Sequence, residues 1–411
     1  METDARSPGT HEQAGNIVLV QFRRALESQN NLARCFMPIA RFRRIAGLAA
    51  TLLFFTSFLV PQLEAAETSS RQSQWEATLE AAKKEGKVNI YMYRYGKVLD
   101  VFRSDYPEIR PFLLAGTGAQ IITKIMAERR AGRNLADVIG LGSSNYRILH
   151  QQAKMLEPIQ PALMLPEVID ESRWFGGKHR YLDPDNKYVF AYLANASYAQ
   201  LYYNTTLINP KEFTSYYDLL KPKWNGKIVA LDPRSKTEIG GTMQFLYYNP
   251  ELGPKFIKQF FGNKAITFSR DARQMIDWLG QGKFALCFGC SGALKAKNQG
   301  LPIESFDTSR WKEGGTFSAG GGTLSLPSQS PHPNAAKVFI NWYLSRKGQM
   351  ALQKLGDPDE PPNSARTDIP KDEVLPQHKL FEGGRYFDVT LPQNEDTEIA
   401  FKIAAQAMEG R

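Results

Sequence analysis

Cys287-Phe288-Gly289-Cys290 is the densest chemical motif in the chain. A C-x-x-C pair can be a thioredoxin-type redox centre, half of a zinc site or a short structural bridge. The redox role wants the motif at a helix N-terminus inside a thioredoxin-like domain, and the surrounding pattern is of another kind. A zinc site wants a second C-x-x-C or an H-x-H, and the chain has neither. Structure is therefore the expected role, as a disulfide between Cys287 and Cys290 after export; a working thiol pair stays open beside it.

The other candidates are turns of small polar residues between a strand and a helix. Tyr93–Tyr95, Gly116–Gly118, Ser143–Asn145 and Arg234–Gly241 are four of them, and Cys290-Ser291-Gly292 is a fifth. Helix N-termini there offer backbone N–H groups and a partial positive charge, which suit an anion. Each turn alone is weak, because Ser and Thr at strand–helix turns are more often plain N-caps. Arg234 and Lys236 in one turn and Arg94 in another point to carboxylate or phosphate, which guanidinium grips bidentately. A solvated cation at a loop tip is the blander account of each. Tyr93 and Tyr95 suit the wall of a cleft, with apolar faces and wet hydroxyls.

Enzyme signatures are missing. The chain has no G-x-S-x-G, Walker A or H-E-x-x-H, and its five histidines (His11, His150, His179, His332, His378) are scattered. No catalytic residue, cofactor or metal is expected. Gly320-Gly321-Gly322 lacks dinucleotide-binding spacing and reads as tight backbone packing.

The elements that must position these turns follow from periodicity. A helix is predicted over Ser73–Glu85, capped by Ser73 and ended by Gly86, then a strand over Val88–Tyr93. Helices through Phe102 and Ile121–Met126 and a strand over Ala136–Leu141 follow. Val189–Tyr203 reads as one long strand able to cross between lobes. Strands are expected again at Lys227–Leu231, Phe284–Phe288 and Thr323–Leu326. Helices are expected at Thr242–Tyr248, Gly292–Asn298 (capped by Ser291) and Asn334–Arg346. Alternation of this kind indicates an α/β fold with a largely parallel sheet.

The chain has 411 residues, ample for two cores, and 42% of them are hydrophobic. Disorder and a multi-span membrane protein are both disfavoured. Its net charge of +9 is spread thinly, and no dense Lys/Arg run adjoins an aromatic platform, so nucleic acid is not an expected partner. Arg41, Arg43 and Arg44 precede an uncharged apolar stretch, Ile45–Leu63, followed by Ala65 and Ala66. That is a secretory signal over 37–66, cut after Ala65 or Ala66, with an uncleaved anchor as the alternative. Met37 serves as the start, which makes 1–36 a mis-assigned or non-native beginning. Cys35 precedes the apolar run, so no lipid anchor is expected. Residues 1–66 hold seven Arg and five acidic residues, so two of the nine net charges leave with the presequence.

From Trp75 to Arg366 the chain resembles the type II extracellular solute-binding proteins of ABC importers, the group with iron(III)-, thiamine- and 2-aminoethylphosphonate-binding members. The marks are Trp75…Ala82-Lys83-Lys84-Glu85-Gly86-Lys87-Val88, Phe102…Tyr106-Pro107 and Glu128-Arg129-Arg130-Ala131-Gly132-Arg133 before Ala136-Asp137-Val138. Tyr203-Asn204-Thr205, Leu219…Pro222-Lys223-Trp224-Asn225-Gly226-Lys227-Ile228, Pro331-His332-Pro333-Asn334-Ala335-Ala336-Lys337 and Leu344-Ser345…Gly348-Gln349 complete them. The resemblance implies a two-lobed periplasmic binding fold with crossing strands as hinge, and binding without chemistry. Lobe 1 is expected over 67–198 and 317–370, lobe 2 over 199–316, and a C-terminal helical segment over 371–411. By matching positions the ligand-binding residues would be Tyr93, Arg94, Thr117, Ser143 and Ser144, then Arg234, Ser235, Thr237 and Ser291. A periplasmic monomer that delivers a small anionic solute to an inner-membrane permease is the implied function. Iron-binding members place adjacent tyrosines near Phe288–Ser291, and here the pairs are Tyr202-Tyr203, Tyr216-Tyr217 and Tyr247-Tyr248, away from that turn. An Fe(III)-binding importer protein is the first alternative, and an exported thiol-disulfide enzyme using Cys287 and Cys290 the second.

Overall fold

A computed structural model describes residues 69–93, 95–142, 147–197, 200–235, 239–356, 362–394 and 396–411. Contacts gather Ser73–Arg411 into one compact unit. The expected signal segment, 37–66, and everything before it lie outside the described residues. Among the described residues no helix is long and apolar enough to cross a membrane.

The architecture is α/β. The first helix ends at Gly86, whose φ of +71° is the left-handed stop expected there. Ser73 lies inside that helix, not at its cap. Strand β1 (Lys87–Met92) leads to α1 (Val98–Asp105), β2 (Arg110–Ala115), α2 (Gly118–Arg130) and β3 (Val138–Gly140). These strands form a parallel sheet in the order β2-β1-β3. Strand β2 escaped the periodicity because it is an edge. Pro111 costs little where one side of the ladder is open, and Phe112 stays 61% exposed. β4 (Leu156–Glu157) follows a π-helical stretch, Arg147–Gln152.

The predicted strand Val189–Tyr203 is three short strands in three sheets: β5 (Phe190–Ala191), β6 (Asn195–Ser197) and β7 (Leu201–Asn204). The chain here leaves one core and enters another. β8 (Ile228–Leu231), α3 (Gly240–Tyr248), α4 (Gly253–Phe261), β9 (Thr267–Ser269), α5 (Ala272–Gly280), β10 (Leu286–Phe288), α6 (Ala293–Asn298) and β11 (Ile303–Ser305) build the second region. Its sheet runs β11-β7-β10-β8-β9, with β8, β9 and β10 parallel and β7 reversed.

The chain returns through β12 (Gly315–Ser318), β13 (Thr323–Leu324) and β14 (Leu326–Pro327), the last two parted at Ser325, which bridges to Ile139. The expected helix Asn334–Arg346 is two, α7 (Pro333–Leu344) and α8 (Arg346–Leu355). Ser345 ends the first and caps the second, its hydroxyl accepting from Gly348 N. Asn341 inside α7 is fully buried and satisfied, accepting from Met164 N and Leu165 N. Among the described residues of the segment 371–411, only α9 (Glu398–Glu409) is α-helical. Before it β15 (Tyr386–Asp388) joins β12 and β6 in a small sheet.

Burial follows the same division. One apolar core draws on residues between Leu201 and Trp311 and on Ala400, Phe401 and Ala404 of α9. A second draws on residues between Ala82 and Ala194 and on the return from Phe317 to Ala365, and a third on residues between Tyr91 and Ala191 and on Ala319.

Candidate functional site

Parallel strands release their turns at one edge. In the first sheet that edge carries the turns after β1, β2 and β3. Tyr93, just past β1, donates its backbone N–H to Gly140 O at 3.1 Å, and the residue is 37% exposed. The Gly320–Gly322 loop packs on its ring; a Cβ on Gly321 would sit 3.3 Å from Tyr93 Cδ1. Tyr95 has φ +81°, a conformation costly for a tyrosine and common where function constrains backbone. Near Tyr95 lie Tyr192 and Tyr343, both fully buried, with hydroxyls 3.3 Å apart. Burial pushes both well above the usual tyrosine range. Thr117 is the N-cap of α2 in a complete capping box with Gln120. Its hydroxyl accepts from Gln120 N, so it is already engaged in the cap role.

In the second sheet the edge carries the turns after β8, β9 and β10. Asp232, at the end of β8, is 4% exposed. Its Oδ1 accepts from Arg234 N (3.0 Å) and Arg234 Nε (2.8 Å), and its Oδ2 from Arg234 Nη2 (2.6 Å) and Arg270 Nε (3.1 Å). Burial opposes the charge on Asp232, but these donors outweigh it and hold the carboxyl at about 2. Arg270 follows β9, and the Cys290-Ser291 turn follows β10.

That last turn is tightly built. Cys287 and Cys290 are joined in a disulfide, and both are fully buried. Gly289 between them has φ +80°, and a Cβ there would come within 2.8 Å of Ile239 Cγ2 and 2.9 Å of Leu231 Cβ. Its N–H donates to the carbonyl of Gln200, another non-glycine residue at positive φ (+52°). Ser291 does not cap α6. The N-cap is Gly292, at φ +82°, because the chain must double back sharply to start the helix.

A groove of about 850 Å³ opens at this edge between α5 and α6. Arg270, Arg273, Lys295 and Ser291 line it, together with Asp271 and Asp277. Asp271 caps α5, accepting from Gln274 N at 3.0 Å. The lining is thus cationic in balance, and the arrangement can grip an oxyanion. It lacks a nucleophile poised against a base. Among the described residues, an Asp–His pair resembling part of a triad, Asp137 with His332 at 2.9 Å, has Ser330 donating to the carboxylate, not facing the imidazole. Among the described residues no group of three or more His, Cys, Asp or Glu is placed to hold a metal ion.

Of the residues singled out from the sequence, Tyr93 and Thr117 stand at the first edge, and Arg234 and Ser291 at the second. The backbone of Ser235 belongs to the short 3-10 turn Pro233–Ser235 that carries Arg234. Arg94, Ser143, Ser144 and Thr237 lie outside the described residues. Asp232 and Arg270 were passed over. Asp232 reads as the last polar residue of a strand. Arg270 follows Thr267-Phe268-Ser269, too short and polar for periodicity to mark as a strand, although Ser269 and Asp271 are the sort of residues that precede a helix.

The family model for bacterial extracellular solute-binding proteins matches residues 100–350. No curated protein matches the sequence. Solved structures with the same fold include FutA (IdiA) from Trichodesmium in complex with iron and citrate, 17% identical, with a TM-score of 0.53 over 79% of this chain and 98% of that one. Ferric iron-binding protein A of Mannheimia haemolytica, in an open conformation, is 14% identical, with a TM-score of 0.54 over 79% and 99% of the two chains. Apo FutA2 from Synechocystis PCC6803 gives 15% and 0.51 over 79% and 98%. At these identities the likeness is one of fold: two α/β lobes of the type II periplasmic binding kind. With more than half its length matched by the family model, the chain belongs to the bacterial extracellular solute-binding proteins, the solute-capturing components of ABC importers.

Proposed function

We propose that the solute is a small organic anion, taken up between the strand edges that carry Tyr93 and Arg234 and passed to an inner-membrane permease. The supporting observation is that one buried carboxylate, Asp232, is shared by two guanidinium groups on neighbouring strand ends. Asp232 neutralises one of them, so a positive charge is left over at the edge. In this reading residues 67–198 and 317–370 form lobe 1, 199–316 form lobe 2, and β6, β12 and β15 are the hinge about which they close. The protein works as a periplasmic monomer, exported by the signal over 37–66.

Ferric iron with an accompanying anion is the second reading, favoured by the iron named for two of the structural neighbours. The tyrosine pairs argue for the anion. Tyr202 and Tyr203 sit in β7 within the sheet, Tyr216 is fully buried, and Tyr248 of the α3 pair donates to Asp396 O at 3.0 Å. A thiol-disulfide enzyme needs an accessible sulfur, and Cys287 and Cys290 are both fully buried.

The test is a thermal-shift screen of the exported chain against phosphate esters, phosphonates, carboxylates and Fe(III). An anionic solute at 100 times its dissociation constant is expected to add about 2.7 kcal/mol of stability. A melting temperature that responds to Fe(III) alone would remove the anion reading.

A further inference from the structure

Two arginines meet at Asp232, and they are not equivalent. Arg234 spends its guanidinium on the carboxylate: Nε reaches both oxygens, Nη2 reaches Oδ2 at 2.6 Å, and even its backbone N–H donates to Oδ1. Arg270 makes a single contact through Nε, at 3.1 Å. Its side chain is 65% exposed against 48% for Arg234, and it lines the groove between α5 and α6, which Arg234 does not.

Resting on the anion reading above, we propose that Arg270 is the residue that takes the solute's oxyanion and sets specificity for it, with Asp232 as its positioning residue and Arg234 as the counter-charge that keeps Asp232 ionised. With Nε tied to Asp232, the edge formed by Nη1 and Nη2 remains for a bidentate grip on a carboxylate, phosphate or phosphonate. The tether also removes rotamer freedom that an exposed arginine would otherwise lose on binding. Arg273 and Lys295 add positive charge along the groove, which Ser291 also lines. Asp277 offsets one of those cations, and Asp271 is occupied as the cap of α5. Arg234 then matters through the carboxylate it holds, not through the solute.

Isothermal titration with inorganic phosphate, methylphosphonate and citrate separates the possibilities, using wild type, Arg270→Gln, Arg270→Lys and Arg234→Gln. Loss of charge-assisted hydrogen bonds is expected to weaken the best-bound of these oxyanions about 10- to 100-fold in Arg270→Gln. Arg270→Lys, which keeps the charge but not the fork, should recover only part of it. Arg234→Gln should cost less than Arg270→Gln. The relative strengths of phosphate, methylphosphonate and citrate identify which oxyanion class the fork prefers. Unchanged affinity in Arg270→Gln, or a larger loss in Arg234→Gln, overturns the assignment to Arg270 while the anion reading stands. A wild-type protein that binds none of the three overturns both. Arg270 is exposed and Arg234 keeps its own bonds to Asp232, so the unliganded variant should melt close to the wild type, and that melting curve is the control for folding.

Discussion

Asp232 shows how single residues at this edge trade stability against readiness. A carboxylate with 5% of its side chain exposed would ordinarily gain a proton, yet two arginines keep it charged at about 2, below the usual carboxylate value of 3.8. A depressed folded-state value contributes stability that is present above the unfolded value and lost as the pH falls through the folded one. The window is therefore between about pH 4 and pH 2. Asp232→Asn should cost about 1–3 kcal/mol at neutral pH, and its stability should fall less than that of the wild type across the window. Urea midpoints measured at pH 7, 4 and 2.5 check this; parallel losses in both proteins would mean the Asp232 pairing is not what titrates. At this scale the sequence was half legible. Arg234 and Lys236 in one polar turn and Arg94 in another suggested an anion, but the partner that occupies Arg234 and the second arginine beside it depend on how β8 and β9 align, which no local pattern records.

At the scale of elements, the strands that cross between the cores, where the proposed hinge lies, were also the hardest to read. Val189–Tyr203 looked like one strand because β-branched, aromatic and alanine residues all suit extended chain. Its division into β5, β6 and β7 follows from which sheet each piece meets. The C-terminal strand β15 had no apolar run to announce it, and it is held by a long-range ion pair. Arg180 binds Asp388 through Nε (2.6 Å) and Nη2 (3.0 Å), reaches Thr390 Oγ1 and Leu193 O, and lies 4.5 Å from the ring of Phe317. Both side chains of the pair are nearly buried, at 13% and 8% exposure. Arg180→Ala would leave Asp388 buried without a counter-charge, so a loss of about 3–5 kcal/mol is expected. Chemical denaturation reads it directly, and a loss under about 1 kcal/mol would show that β15 is held in the small sheet by its backbone ladder with β12 alone.

At the scale of the whole molecule, a length ample for two cores resolves into two α/β regions with cores of their own. The alternation of strands and helices made that architecture legible; the far end of the chain did not follow from it. A C-terminal helix was expected only as a segment after the second lobe-1 passage. The structure gives it work: α9 packs on α4 and α3, buries Phe401 in the second core, and lies against the Pro233–Ser235 turn that carries Arg234. The chain thus runs from β15 in the crossing sheet to the back of the turn that holds one half of the arginine pair. Phe401 is 5% exposed, so Phe401→Ala removes a packed ring and should cost about 3–5 kcal/mol. Because α9 touches the turn and not the groove, its loss should act on the positioning of Asp232 more than on contact with the solute. Phe401→Ala is accordingly expected to weaken phosphate or phosphonate binding by less than Arg270→Gln does, while lowering the melting temperature by more. The opposite ranking, a stable variant with lost affinity, would place α9 in the solute's own contacts.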